Sequence, residues 1–273
     1  MSRTRSLRVA VVQFEVTDDV RQNLAKIEKY SRRAKKKHAE FVLFSECCLT
    51  GYPPTTGSVL DRRFAVLQEA GLARVKNLAR ELGLWMIAGL ARPSESGWVN
   101  SAVAIRPSGR IAETYDKIHL MIGPGMDLDY FEAGRRIPVF KVCGIDCAML
   151  ICFDARFPEP FRLLKERGVK VVFMPFYVAG ENARWKLPVL EGTLRCRAAE
   201  NGVFIVASNC SGPDQALLSC VCDPDGVSIG EAKLDKEDMF IVDIEASRVN
   251  NNFYGALRKD LFEVRAKRKL KTQ

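Results

Sequence analysis

Short apolar runs alternate with longer amphipathic segments along the first third of the chain, and this alternation predicts its secondary structure. Runs of about four to eight apolar residues are typical of buried strands, whereas apolar residues at helical spacing, such as Leu24, Ile27 and Ala34, indicate a helix with one buried face. Gly83 follows the second helical segment, and glycine commonly ends helices. The predicted strands are residues 7–14, 41–44 and 84–88, and the predicted helices are residues 20–38 and 64–82.

In the middle of the chain a turn signal joins two apolar runs directly. Pro107-Ser108-Gly109 lies between residues 99–105 and 110–115, which predicts a hairpin and excludes an all-parallel sheet. Gly144 divides another pair of runs in the same way. The remaining predicted strands are residues 139–142, 145–151, 169–174, 203–208, 217–222 and 239–244, and the remaining helices are residues 159–167 and 186–201. We therefore predict one domain over residues 1–273, an α/β sandwich with a mixed sheet in each half.

Composition and charge narrow the class of protein. With 47% hydrophobic and 27% charged residues, the chain has the makeup of a globular protein with a substantial core. No apolar run approaches the roughly 18 residues of a membrane span, and we expect a cytoplasmic protein with no membrane partner. Two basic clusters, at residues 32–37 and 265–271, supply much of the net charge of +9. We interpret both as solvated surface and expect no nucleic-acid partner.

Three reactive side chains each follow an apolar predicted strand, namely Glu46, Lys117 and Cys152. Strand ends are positions where a rigid sheet can hold side chains around a cleft. A thiol attacks as thiolate and needs a nearby base or positive charge, which a glutamate and a lysine supply. The residues alone leave more than one interpretation open. Cys152 is also consistent with a buried packing residue, and His119 with a histidine partner for the thiol.

The surroundings of these residues resemble the three catalytic motifs of the nitrilase superfamily, the carbon-nitrogen hydrolases, in the family's order. Residues 197–201, 223–226 and 258–262 are similar to the family's late helix, late turn and C-terminal segment. The three motifs themselves read Phe44-Ser45-Glu46 with Leu49-Thr50-Gly51-Tyr52, Tyr115-Asp116-Lys117-Ile118-His119-Leu120, and Cys152-Phe153-Asp154-Ala155-Arg156-Phe157-Pro158-Glu159.

The resemblance implies a four-layer α-β-β-α sandwich and an enzyme without metal or cofactor. It assigns Cys152 as nucleophile, Glu46 as general base, and Lys117 with the backbone N–H of Phe153 as the oxyanion donors. It also implies a homodimer or a higher homo-oligomer, and we expect residues 258–273 to form a C-terminal tail at the subunit interface. The nucleophile motif is closer to those of the amidase branches than to those of true nitrilases.

One position departs from the family pattern. Amidases of the family commonly carry a second glutamate in the loop after the lysine, and the matching position here is Asp127. Either the loop adapts to the shorter side chain, or Asp129 or Glu132 takes its place, or activity is weak. Besides an amidase or a carbamoyl (ureido) hydrolase, the sequence is compatible with a nitrile hydrolase and with a sandwich retained for binding or scaffolding. For contacts to a small-molecule substrate, the candidates are Tyr52, Arg156 and Phe176.

Overall fold

The computed structural model describes residues 6–179, 184–213 and 215–249, and its helices and strands alternate along most of that length. The helices are α1 Val20–Lys36, α2 Pro53–Thr56, α3 Arg62–Leu82, α4 Pro158–Glu166 and α5 Leu187–Asn201. The strands of the first half are β1 Leu7–Gln13, β2 Phe41–Leu43, β3 Trp85–Pro93, β4 Trp98–Ile105 and β5 Ile111–Asp116. Those of the second half are β6 Val139–Val142, β7 Ile145–Met149, β8 Val171–Pro175, β9 Phe204–Ser208, β10 Cys220–Cys222, β11 Ser228–Glu231 and β12 Asp238–Ile244.

The strands form two six-stranded mixed sheets with the orders β12-β1-β2-β3-β4-β5 and β11-β10-β9-β8-β7-β6. In the first sheet β1, β2 and β3 are parallel to one another. The other strands pair antiparallel with a neighbour, β12 with β1, β4 with β3, and β5 with β4. In the second sheet β7, β8 and β9 are parallel to one another. Here β6 pairs antiparallel with β7, β10 with β9, and β11 with β10. Each half therefore has a parallel centre, where the strand ends point the same way.

The two sheets pack face to face, with helices on the outside. The rings of Phe41 and Phe173 stack between the sheets with their centroids 4.2 Å apart. Helices α1 and α3 bury apolar residues such as Ile27 and Leu78 against the outer face of the first sheet. Helices α4 and α5 do the same against the second sheet through Phe161 and Leu194. This arrangement confirms the predicted four-layer α-β-β-α sandwich.

Local chemistry explains where the long helices begin and end. The Asp19 carboxylate accepts hydrogen bonds from the first backbone N–H groups of α1, and the Asp61 carboxylate caps α3 in the same way. Gly83 ends α3 in the left-handed conformation, with a φ of 62°. The basic side chains after residue 31 lie in the last turns of α1, where Arg32 forms an ion pair of 2.7 Å with Glu28. That cluster is therefore part of a solvated, ion-paired face.

The structure differs from the sequence prediction at short or edge elements. The predicted strand 217–222 is regular only from Cys220, and the predicted strand 84–88 extends to Pro93 because β4 pairs along it. The short elements α2 and β11 were not predicted. No helix of the described ranges is long and apolar enough to cross a membrane. The single domain, the homo-oligomer and the cytoplasmic location stay predictions, and the tail 258–273 lies outside the described residues.

Candidate active site

The three predicted reactive side chains converge between the two sheets. Glu46 follows β2, Lys117 follows β5, and Cys152 lies three residues beyond β7. All three are buried, with 1%, 0% and 6% of their surfaces exposed, respectively. The backbone N–H of Glu46 donates to the carbonyl of Phe176 just after β8, at 3.2 Å, which ties the loop of the first sheet to the second. The site is thus built from strand ends of both sheets.

Glu46 uses only one of its two carboxylate oxygens within the described structure. Its Oε1 accepts hydrogen bonds from Lys117 Nζ at 2.8 Å and from Asn100 Nδ2 at 2.7 Å. Its Oε2 is buried and accepts no hydrogen bond from the described residues. Burial raises the pKa of Glu46, the charge of Lys117 opposes that rise, and the charge of Asp127 adds to it. This combination of a fixed oxygen and a free one suits a proton acceptor.

Asp127 occupies the position expected for the second carboxylate. Its Oδ2 lies 2.8 Å from Lys117 Nζ and also accepts the backbone N–H of Met121 at 3.0 Å. Its Oδ1 accepts a hydrogen bond of 2.6 Å from the hydroxyl of Tyr52. A short 3-10 turn at Asp127–Asp129 presents the side chain to the lysine.

The other two carboxylates considered for that role have different partners. Asp129 Oδ2 accepts the backbone N–H of Gly125 at 2.6 Å, and Glu132 Oε2 accepts the Ser94 hydroxyl at 2.9 Å. Both side chains belong to exposed residues of the same loop. Neither forms an ion pair with Lys117, so Asp127 is the carboxylate that the loop brings to the lysine.

Lys117 is a fully buried cation between two carboxylates. Burial by itself would lower the pKa of Lys117, but the negative charges of Glu46 and Asp127 raise it well above its ordinary value. The ammonium group therefore remains charged, and its two ion pairs fix its position. A charged donor held this way in a low-dielectric site is suited to stabilise an oxyanion.

Cys152 lies at a sharp bend that a neighbouring carboxylate holds in place. Its φ is 44°, in the left-handed region that residues other than glycine rarely adopt. Asp154 Oδ2 accepts the backbone N–H of Ile151 at 2.8 Å and the hydroxyl of Tyr115 at 2.6 Å. Asp154 Oδ1 accepts the backbone N–H of His119 at 3.0 Å. These bonds tie the bend to the segment that carries Lys117.

His119 is engaged by Asp154 and Phe157. Its Nδ1 lies 2.8 Å from Asp154 Oδ1, and its ring stacks on Phe157 at 3.8 Å between centroids.

Burial raises the pKa of Cys152 well above its ordinary value, and the charge of Glu46 raises it further although Lys117 opposes this. These surroundings favour the thiol over the thiolate, so an attack by sulfur requires a base in contact with the site.

Two supporting residues were missed by the sequence analysis. Asn100, within β4, donates from its side chain to Glu46, and its backbone carbonyl accepts Lys117 N at 2.8 Å. Gly89, within β3, lies so close to the glutamate loop that a Cβ would stand 2.5 Å from Cys47 N and 2.8 Å from Glu46 Cα. Both lie inside apolar strands, and nothing in the local sequence distinguishes them from packing positions.

A cavity of about 230 Å³ opens beside the nucleophile. Two of the three predicted substrate contacts, Arg156 and Phe176, line it. The third, Tyr52, does not; its hydroxyl binds Asp127. The full lining consists of Met121, Cys152, Phe153, Arg156, Phe176, Val178, Lys186 and Leu190. In the described ranges no group of three or more His, Cys, Asp or Glu side chains is arranged to hold a metal ion.

Comparison with known proteins identifies the class. The model of the carbon-nitrogen hydrolase family matches residues 8–251, and the chain belongs to that family. Membership confirms the predicted resemblance and the prediction of a hydrolase that acts on carbon–nitrogen bonds other than peptide bonds.

Several relatives are similar along almost their whole lengths. A 2-oxoglutaramate amidase of Bacillus subtilis (strain 168) is 28% identical, with 93% of this chain and 98% of the relative covered. An N-carbamoylputrescine amidase of Solanum tuberosum is 28% identical, with 96% and 95% covered. A mutant of an amidase from Nesterenkonia sp. AN1 superposes with a TM-score of 0.81 at 26% identity, covering 95% of this chain and 96% of that one. That structure shows covalent addition of the acetamide moiety of fluoroacetamide at the active-site cysteine.

Proposed function

We propose that this protein is an amidase that hydrolyses a small linear amide or carbamoyl compound through a thioester on Cys152. The observation that carries the proposal is the buried ion-pair set, in which Lys117 lies between Glu46 and Asp127 while Glu46 Oε2 stays free. A free carboxylate oxygen can accept the thiol proton, and the fixed ammonium can stabilise negative charge on the substrate oxygen.

The first half of the reaction forms the acyl-enzyme. Glu46 Oε2 takes the thiol proton as Cys152 Sγ attacks the carbonyl carbon, and the carbonyl oxygen becomes an oxyanion. Lys117 Nζ and the backbone N–H of Phe153 bind that oxyanion. When the tetrahedral intermediate collapses, Glu46 returns the proton to the nitrogen, the carbon–nitrogen bond breaks, and ammonia or an amine leaves.

The second half releases the acid. A water molecule gives a proton to Glu46 and attacks the thioester carbon, so that the oxyanion forms again at the same donors. Collapse of this second intermediate expels the sulfur of Cys152, which regains its proton, and the carboxylic acid product departs. Asp127 keeps Lys117 in place through both halves, including the periods when Glu46 is protonated and neutral.

The names of the relatives support amide and carbamoyl substrates, since they include a 2-oxoglutaramate amidase and an N-carbamoylputrescine amidase. The cavity supports a small acyl group. Its volume of about 230 Å³ lies below the range of roughly 300–1,000 Å³ that is typical of pockets for drug-sized ligands.

Labelling with fluoroacetamide tests the proposal. We expect an acetamide adduct on the intact wild-type protein, mapped to Cys152 by peptide mass spectrometry and absent from Cys152→Ala. The matched control is Cys196→Ala, which removes an exposed thiol on α5 and should keep the adduct. Ammonia release from a panel of small amides should disappear only in Cys152→Ala. An unlabelled Cys152, or ammonia release that survives its replacement, would refute the proposed function.

A further inference from the structure

The cavity beside Cys152 has a charge pattern that the reaction itself does not require. Among its eight lining residues, Arg156 and Lys186 are cations, and none is an aspartate or a glutamate. Met121, Val178 and Leu190 contribute apolar walls. Lys117, the cation of the proposed chemistry, is a different residue outside this lining. The cavity is therefore an apolar chamber with two positive groups of its own.

Neither of these cations is neutralised by the described parts of the chain. Two other cations on or just before α5 are paired, namely Arg197 with Glu200 at 3.0 Å and Arg184 with Asp235. No ion pair joins Arg156 or Lys186 to any acidic side chain of the described residues. Unpaired cations at the edge of an apolar cavity favour an anionic ligand, because a carboxylate there meets both charge and hydrogen-bond donors.

The backbone holds both cations close to the nucleophile. Arg156 ends the short 3-10 helix that starts at Cys152, and its carbonyl accepts Arg197 Nη2 at 3.3 Å, which fixes the turn. Lys186 is the residue before α5, so the positive end of that helix adds to the potential beside it. The planar guanidinium of Arg156 matches the two oxygens of a carboxylate, and the ammonium of Lys186 adds a point charge.

We propose that this cavity selects short-chain amides that end in a carboxylate. In this arrangement the carboxamide lies at Cys152, the aliphatic chain lies against the apolar walls, and the terminal carboxylate binds Arg156 and Lys186. The proposal rests on the proposed amidase function and narrows its substrate class. It disfavours amides and carbamoyl compounds that end in an ammonium group, because two cations would repel that end.

Three amides of equal chain length test the selection. They are the monoamide of pentanedioic acid, pentanamide and 5-aminopentanamide, which end in an anion, a neutral methyl group and a cation. We expect kcat/KM to fall in that order, with the difference mainly in KM. Raising the salt concentration should lower the ratio of kcat/KM for the anionic amide to that for the neutral one, because salt screens the attraction. This measurement uses the wild-type protein alone.

Variants assign the effect to the two cations. Arg156→Gln and Lys186→Gln should each reduce the ratio of anionic to neutral kcat/KM, by about tenfold or more for the arginine, because a hydrogen bond between charged groups is lost. Arg110→Gln is the matched control. It removes an exposed arginine in the turn before β5, outside the cavity, and should leave the ratio unchanged.

The possible results separate the two proposals. Equal kcat/KM for the three amides, or a preference for the ammonium-terminated one, would overturn the anion selection while the amidase function stands. If turnover is too slow to measure, the three amides are compared by how strongly each protects Cys152 from labelling by fluoroacetamide. Equal protection by all three, or the strongest protection by the ammonium-terminated amide, would overturn the anion selection. Absence of both turnover and labelling would instead refute the amidase function.

Discussion

Replacing Asp127 with asparagine tests how the second carboxylate acts on the proposed general base. In the structure Asp127 accepts three hydrogen bonds, from Lys117, Tyr52 and the backbone of Met121. An asparagine side chain has only one acceptor oxygen. If that oxygen keeps the hydrogen bonds from Lys117 and Met121, the NH2 group faces the hydroxyl of Tyr52, which loses its acceptor. The substitution thus removes one negative charge and disturbs one short hydrogen bond.

The size of the stability loss follows from these contacts. Disturbing a buried hydrogen bond to a charged group costs about 1–3 kcal/mol, and 2 kcal/mol corresponds to about 4–8 °C in Tm. Asp127→Glu should cost a comparable amount, because an extra methylene in a fully buried site overpacks it by about 1–3 kcal/mol. The two variants are therefore matched in stability and differ in charge.

The pH dependence distinguishes the two variants. The charge of Asp127 helps to raise the pKa of Glu46, so Asp127→Asn should lower that pKa. Because the proposed base must be ionised to accept the thiol proton, the acidic limb of the kcat/KM profile should move to lower pH. In Asp127→Glu the charge remains and the limb should stay near its wild-type position. The plateau should fall in both variants, because Lys117 is held less accurately.

The assay is ammonia release from one neutral amide, measured from acidic to neutral pH for the three proteins, with Tm recorded at each pH. A limb that moves to higher pH in Asp127→Asn would contradict the reasoning. So would equal shifts in both variants, because the effect would then follow the damage to the fold and not the charge.

Three further predictions follow from contacts in the same site. Asn100→Leu should move the acidic limb to higher pH, because the hydrogen bond from Asn100 lowers the pKa of Glu46. Lys117→Met should abolish ammonia release and lower the free energy of unfolding by about 3–5 kcal/mol at neutral pH. That loss, followed by denaturant melts, should shrink as pH falls and the buried carboxyl group of Glu46 takes up a proton. Gly89→Ala should lower both Tm and kcat, because its Cβ would meet backbone at 2.5 Å, whereas Gly192→Ala, with nothing within 4 Å, should raise Tm by about 2–4 °C.

The sequence predicted the fold best where burial and local chemistry agree. The central strands β2, β8 and β9 are almost entirely apolar, and α1 and α3 carry both the helical spacing and capping residues at their ends. The edge elements were harder. Strand β11 is partly exposed along its length, and it forms because β10 supplies partners, which is a tertiary contact that a local pattern does not contain.

The site shows the same division. Their positions at strand ends indicated Glu46, Lys117 and Cys152 as candidate catalytic residues. The resemblance to the family motifs then assigned each of them a role. Asn100 and Lys186 were not predicted as site residues, because one lies inside an apolar strand and the other just before a long helix. Their placement depends on distances between segments that are far apart along the chain, such as the 54 residues between Asn100 and Glu46.

The charge balance explains why a second carboxylate belongs in this site even when it is an aspartate. With Glu46 and Asp127 ionised and Lys117 protonated, the buried set carries one net negative charge. Loss of a proton from Cys152 to solvent would leave two negative charges in a low-dielectric site, which the high pKa of the thiol reflects. In the proposed reaction that proton passes to Glu46 instead, which leaves the net charge unchanged. Lys117 then loses its pairing with an ionised Glu46, and Asp127 becomes the carboxylate that still holds it.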